Sequence, residues 1–396
     1  MTTEAQIDRD HIEKALDELL ESNDPHGDRT EFLAARFDAG LAWVWFPRGL
    51  GGLDAPRGFQ TIVESRLAEV GAPHPAKFNV LGVGMGAHVL LAHGTSEQME
   101  RWLRPMFSGR EIWCQMFSEP GSGSDVASLA TRAIRDGDEW VVNGQKVWTT
   151  LAHVAKWGML VTRTDPDVPK YQGMTYFIVD MESEGVEVRP IRQITGEAEF
   201  NEVYFTDVRI PDANRVGDVG DGWKVSLTTL MNERVAIGGN VTPRGSGPIG
   251  EAVRIWEEFG HDDEAGRDRL MELWSHAEAA RLTNARAAQN RKRGTPGPEG
   301  STAKLVYAEL NKKIYEYAVE MMGPEGMLYD TYEMVLPEES SMTSMDPRKA
   351  FLRARANSIE GGTSEIMKNI LGERVLGLPG EPRVDKDLPW SEVPRS

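Results

Sequence analysis

Residues 112 to 150 hold the densest group of side chains suited to ligand chemistry. Gln115 to Asp125, Gln-Met-Phe-Ser-Glu-Pro-Gly-Ser-Gly-Ser-Asp, begins apolar and strand-like, then enters a loop that Pro120, Gly121 and Gly123 hold open. Such a loop offers backbone N–H groups and the hydroxyls of Ser118, Ser122 and Ser124 at close range. Downstream, Trp140-Val141-Val142 and Lys146-Val147-Trp148-Thr149 carry strand patterning, and Asn143-Gly144 between them predicts a hairpin turn. Trp148 and Thr150 are then two residues apart on one face of the second strand. A broad aromatic ring, a hydroxyl on its face and a hydroxyl-rich glycine loop suit a flat heteroaromatic cofactor. Trp148 by itself would be read as core; its company argues for binding.

Two acids stand out further along. In Thr229-Leu-Met-Asn-Glu-Arg-Val-Ala-Ile-Gly-Gly239, Leu230, Glu233 and Ile237 share one face of a helix, so the Glu233 carboxylate lies on an apolar stripe. The same pattern is what a Glu paired to an Arg inside a bundle would show. Glu360 precedes Gly361-Gly362-Thr363-Ser364-Glu365-Ile366. There Gly361-Gly362 reads as the end of one helix and Thr363 or Ser364 as the cap of the next. A helix N-terminus at that point also supplies free N–H groups for a polar or anionic ligand.

The elements that must position these residues follow an α–β–α order. Helical spacing at Ile12, Leu16, Leu19 and Leu20, at Phe32, Leu33 and Phe37, and over about 59–70 makes the N-terminal third helical. Phe78 to Ala92 contains Gly82, Gly84 and Gly86, but that spacing is not G-x-G-x-x-G and it reads as a close-packed buried helix. Thr95 with Gln98 forms a capping box for the helix after it. Short β-rich runs then follow at about 157–161, 175–179, 186–191 and 203–210. Helical spacing returns over roughly 223–240, 249–259, 267–292, 302–322 and 348–375, and about 333–347 reads as an ordered loop. The expected domains are 1–112, 113–221 and 222–396.

A chain of 396 residues with 40% hydrophobic residues can bury a large core in two or three domains. Its net charge of −18 argues against nucleic acid as a partner. Cys114 is the single cysteine, which excludes an intrachain disulfide and a multi-cysteine metal site. No apolar stretch is long enough for a membrane span, and the N-terminus carries no secretory pattern, so a cytoplasmic location is expected.

Several blocks in order carry a resemblance: Gly94-Thr-Ser-Glu-Gln98, Phe117-Ser-Glu-Pro-Gly-Ser-Gly-Ser-Asp125, Trp148-Thr-Thr150 and Gly361-Gly-Thr-Ser-Glu-Ile366. From about residue 30 to about residue 380 the chain resembles the acyl-CoA dehydrogenases. The resemblance implies an α+β fold: a helical N-terminal domain, a middle β-barrel-like domain and a C-terminal four-helix bundle. It implies FAD and an α,β-desaturation of an acyl-CoA thioester in lipid metabolism, in which a carboxylate takes the α-proton and the β-hydrogen leaves as hydride. In many members the base lies just before Gly-Thr, a position that is Gly361 here, with Glu360 one residue early. Glu233-Arg234 followed by Gly238-Gly239 is similar to the members whose base sits on the earlier helix, so Glu233 is the expected base and Glu360 the alternative. Gln115, Phe117, Ser118, Ser124, Trp148 and Thr150 match flavin contacts, and Thr363 and Glu365 match positions near the nucleotide. Ser124 and Arg234 match positions near the thioester or pantetheine arm. Arg291 or Arg293 stands where the family carries an Arg for the pyrophosphate of a neighbouring subunit's FAD, although the accompanying Phe is missing. The implied partners are an electron-transfer flavoprotein and further copies of the chain in a homodimer or homotetramer. A flavin oxidase or monooxygenase, or a non-catalytic subunit of a heteromeric dehydrogenase, are the alternatives.

Overall fold

The computed structural model describes residues 7–238, 241–259, 264–292, 299–329, 331–339, 346–383 and 385–394, with the side chains of 233–238, 291–292 and 299 outside the described set. The N-terminal region holds α1 (Arg9–Ser22), α2 (Arg29–Asp38), α3 (Gln60–Glu69), α4 (Ala76–Leu81), α5 (Ala87–His93) and α6 (Ser96–Ser108). Ile12, Leu16 and Leu19 bury one stripe of α1 against Phe32, Val63 and Leu67. A π-turn at Gly82–Gly86 joins α4 to α5. A Cβ at Gly86 would stand 3.2 Å from the Trp113 ring and 3.3 Å from Met106 Cε, so small residues there let the turn press onto the sheet. The Thr95–Gln98 capping box forms, and Gln98 Nε2 also donates to the carbonyls of Ala213 and Arg215 at 2.8 Å each. That one side chain starts a helix and ties it to the middle domain.

The middle region is one sheet of β1 (Trp113–Met116), β2 (Arg132–Asp136), β3 (Glu139–Thr150), β4 (Trp157–Arg163), β5 (Met174–Asp180), β6 (Val186–Ile191), β7 (Phe200–Pro211) and β8 (Arg215–Val216). The strand order is β6-β7-β3-β2-β4-β5-β8, with β1 parallel to β4. The sheet is open rather than closed into a barrel. Asn143-Gly144 is not a hairpin turn either. β3 runs through it as one strand against β7, and the hairpin lies earlier, where Asp136 pairs with Glu139 around Gly137 at φ 65°. The Asn143 amide instead donates to Asp207 Oδ1 at 2.9 Å and accepts from Asp207 N at 3.0 Å, pinning an irregularity in the ladder. Gly144 is needed for close approach, because a Cβ would fall 2.4 Å from Thr131 Oγ1.

The C-terminal region holds α7 (Gly222–Gly238), α8 (Pro248–Phe259), α9 (Glu264–Lys292), α10 (Glu299–Met321), α11 (Pro347–Arg353) and α12 (Ser364–Arg374). Ile249 and Ile255 of α8, Leu270 and Leu273 of α9, and Ile314 and Ala318 of α10 form its buried core. The expected run over 348–375 is broken by a 3-10 turn at Ala354–Ser358 and by Gly361 and Gly362 at φ 62° and 90°. None of the helices among the described residues is long and apolar enough to cross a membrane.

Candidate functional site

The loop after β1 is fixed by a buried ion pair. Lys146, fully buried on β3, donates to Glu119 Oε1 at 2.8 Å and to the Phe117 carbonyl at 3.0 Å. The Glu119 carboxylate also accepts from Thr131 N at 2.9 Å and Ala130 N at 2.7 Å, so both ends of the loop converge on one side chain. Burial pushes the Glu119 carboxyl up, but Lys146 and these donors outweigh it and hold the group below its usual range. Burial likewise lowers Lys146, partly offset by Glu119. The turn closes on itself through Glu119 N to Ser122 O and Ser122 N to Glu119 O, both 3.0 Å, and Val147 N donates to Ser118 O at 2.9 Å.

This clamp precedes a second irregularity in β3, between Lys146 and Thr149. There Trp148 has φ 61° and its indole is 59% exposed. A large aromatic residue in left-handed backbone is rare and costs free energy, so the surrounding pairing must enforce it. Phe200, opposite Thr150 in the ladder, meets the Trp148 ring edge-on at 6.0 Å, which puts Trp148 and the half-buried Thr150 on one face. Thr149 is fully buried, and its hydroxyl has no hydrogen-bond partner among the described residues.

From the C-terminal region, the Arg353 guanidinium lies 5.5 Å from the Phe200 ring centroid. Arg353 grips Glu360 with two bonds of 2.9 and 3.1 Å, and Asn357 Nδ2 adds a third at 2.7 Å. Burial opposes the Arg353 charge, but Glu360 and Glu199 outweigh it and hold the guanidinium above its usual range. The turn that carries Glu360 is held from α10: buried Lys304 donates to the carbonyls of Asn357 at 2.8 Å and Gly362 at 2.5 Å, and Asn311 bonds Asn357 at 2.6 Å. Trp148, Phe200, Arg353 and Glu360 thus form one chain of contacts across two regions distant in sequence.

α7 is anchored at its first half. Thr229 is buried with its hydroxyl 3.3 Å from Tyr176 Oη, Thr228 Oγ1 lies 2.8 Å from His93 Nε2, and Trp223 packs on Tyr171 at 5.0 Å. Glu233 and Arg234 follow Thr229 by one turn within α7, and their side chains lie outside the described residues, as does that of Arg291 on α9. Arg293 lies outside them altogether.

The remaining expected residues divide clearly. Gln115 and Ser118 are half-buried; Phe117 is core, its ring edge-on to Tyr176 at 5.9 Å. Ser124 is exposed at the open end of the loop. Thr363 caps α12 by accepting from Ile366 N at 3.1 Å, and Glu365 is exposed in the first turn. Sequence reasoning passed over Glu119, Lys146, Phe200, Arg353 and Lys304. A lysine inside an apolar strand run was the available signal, since a charge there needs a partner. Two clefts of about 660 and 780 Å³ lie elsewhere, one between α9, α10 and residues 242–249, the other where α6 meets the start of α7. Neither is lined by Trp148. Among the described residues no group of three or more His, Cys, Asp or Glu could hold a metal. The parts present do fit a flavin: an exposed indole with a hydroxyl beside it, and a Ser-Gly loop locked at its base.

Family models match the chain over most of its length. Those described as acyl-CoA dehydrogenase N-terminal, middle and C-terminal domain match residues 5–110, 114–208 and 220–376. The chain is 39% identical over 344 residues to acyl-CoA dehydrogenase FadE34 of Mycobacterium tuberculosis, covering 86% of this chain and 45% of that protein. It therefore spans less than half the length of that relative. It is 35% identical over 354 residues to acyl-CoA dehydrogenase IpdE1 of the same organism, covering 87% of this chain and 86% of the relative. The solved ChsE4–ChsE5 complex from M. tuberculosis matches with TM-score 0.71 and 27% identity over 96% of this chain and 100% of that one. Butyryl-CoA dehydrogenase from Megasphaera elsdenii, 21% identical over 95% of this chain and 100% of that one with TM-score 0.66, shares the fold.

Proposed function

Because the chain belongs to the acyl-CoA dehydrogenase family, we propose that it oxidises an acyl-CoA thioester between its α- and β-carbons with FAD as cofactor and Glu233 as the base. The observation that carries this reading is the Trp148 indole, forced outward on left-handed backbone beside a locked Ser-Gly loop. FAD, when bound, supplies the acceptor for the hydride that leaves the β-carbon. Gln115, Phe117, Ser118, Ser124, Trp148 and Thr150 would hold its flavin end, and Thr363, Glu365 and Arg291 its nucleotide end. With a cofactor bound, the Trp148 indole would cover part of the site and help to exclude water, which strengthens the charge interactions inside it. Ser124 and Arg234 orient the thioester. Glu233 would take the α-proton; the apolar residues Leu230 and Ile237 that the sequence spaces around it fit the role, since an apolar setting raises a carboxylate's proton affinity. Glu360 is held by Arg353 and Asn357, which favours Glu233 over it as the base.

The partner that would accept the electrons is an electron-transfer flavoprotein, and the proposed state is a cytoplasmic homo-oligomer. The test is anaerobic titration with acyl-CoA thioesters of varied acyl group. Glu233→Gln is expected to keep FAD yet lose flavin bleaching by at least about a thousandfold, whereas Glu360→Gln keeps most of it. The opposite pattern moves the base to Glu360. Similarity to the ChsE4–ChsE5 complex favours a second reading, one subunit of a heteromeric dehydrogenase. Purified alone, a yellow and active protein excludes it.

A further inference from the structure

Residues 385–394 lie beyond the 220–376 match, and they fold back onto the loop between β4 and β5 and the end of β4. Trp390 N donates to Val168 O and Ser391 N to Pro166 O, each at 2.9 Å, and Trp390 Nε1 reaches Ser128 O at 3.3 Å. The Trp390 ring lies under the guanidinium of Arg163 at 4.9 Å. Arg163 is buried and donates to the carbonyls of Ala127 at 2.5 Å and Lys170 at 2.7 Å. Lys170, only 4% exposed, sits between two acids: its Nζ is 2.5 Å from Asp385 Oδ2 and 2.7 Å from Asp125 Oδ2. Asp125 in turn accepts the Ser128 hydroxyl on its carboxylate and the Ser122 hydroxyl on its carbonyl, both at 2.6 Å.

The terminal segment therefore grips the loop from Gly121 to Ser128 at three points: Ser128 directly, Ala127 through Arg163 and Asp125 through Lys170. Gly121, Gly123 and Ser124 remain exposed. A glycine-serine loop buries little apolar surface and loses much conformational entropy on ordering, so its shape depends on such polar ties. Burial works against charge on Lys170, and Asp125 and Asp385 reverse that effect, raising its pKa; Asp385 is correspondingly lowered by Lys170. Tyr171, next to Lys170, packs on Trp223 at the start of α7, so the same support reaches the helix that carries Glu233.

We propose that residues 385–394 form a strap that holds the Gly121–Ser128 loop in its ligand-binding shape, with Lys170 as the positioning residue that joins strap to loop. The proposal rests on the reading of this loop as part of the flavin and thioester site. The test uses the full-length, FAD-loaded chain with Lys170→Met, Lys170→Arg and the double variant Asp385→Asn/Trp390→Ala. Hydrogen exchange over 121–128 is measured alongside KM and kcat for an acyl-CoA thioester.

Lys170→Met and the double variant are expected to speed exchange there at least about tenfold and to raise KM about tenfold with kcat within about twofold, and Lys170→Arg to restore most of both. Unchanged exchange overturns the proposal, and so does faster exchange with unchanged KM. Should no thioester reduce the wild-type flavin, the functional reading fails separately. FAD titration of the apoprotein then decides the strap: weaker FAD binding in the variants supports it, and equal binding overturns it.

Discussion

Two acid–base pairs bear on Trp148, and they are built differently. Glu119–Lys146 is closed: its side chains are 8% and 0% exposed, and both Glu119 oxygens accept backbone N–H groups from the far end of the same loop. Glu360–Arg353 is half open at 23% and 8%, with Arg353 in contact with Phe200 and 3.7 Å from Glu199. The closed pair is sealed from solvent and ties two backbone N–H groups and a carbonyl together, so its role is to fix backbone. The open pair keeps an edge towards solvent beside the Phe200 ring. Breaking a buried pair by removing one partner strands a charge, which costs far more than the pair contributes.

The largest expected effect follows directly. Lys146→Met leaves Glu119 buried without its cation and should destabilise the chain by about 3–5 kcal/mol in urea unfolding. Lys146→Met with Glu119→Gln should recover part of that loss; no recovery would mean that the charge is not the cause. Glu360→Gln should cost less, about 1–3 kcal/mol, because the amide can keep part of the Asn357 contact and Arg353 retains Glu199 as a counter-charge. An equal cost for the two would erase the distinction. Thr363→Ala removes the α12 cap and should cost about 1 kcal/mol. Trp148→Ala should shift fold stability by less than about 0.5 kcal/mol while weakening FAD binding about tenfold, measured by flavin release. A large loss of stability would make the indole a packing residue.

The closed pair also predicts a pH signature. The Glu119 carboxyl is lowered in the folded state, so its contribution is fully present above the unfolded carboxyl range and is lost as pH falls through the folded value. Unfolding midpoints of the wild type should therefore drop steeply on the acid side of about pH 4, and Glu119→Gln should flatten that limb. An unchanged limb would place the acid sensitivity elsewhere.

Much of the fold was legible because local rules were obeyed. The Thr95–Gln98 capping box, β6 at Val186–Ile191 and the α–β–α order all follow from spacing and end signals. Asn143-Gly144 misled because the same two residues that favour a tight turn also suit an irregular strand position, and only the Asp207 and Thr131 contacts decide between the two. Trp148 and Glu360 were visible as candidates from their neighbours in the chain. That Glu360 is gripped by Arg353, and that Lys170 joins Asp125 to Asp385, could not be read, since the partners of Glu360 and Asp125 are chosen by packing.

The sequence by itself determined which residue types stand where helices start, strands alternate and glycine loops open, because these depend on neighbours within a few positions. Tertiary structure decided which charges are spent on scaffolding and which surfaces stay open. Lys146 and Trp148 are two residues apart, yet one is sealed against Glu119 and the other faces outward. A bulge of one residue against β7 separates those fates, with Val147 N between the two residues bonded to Ser118 O rather than to β7.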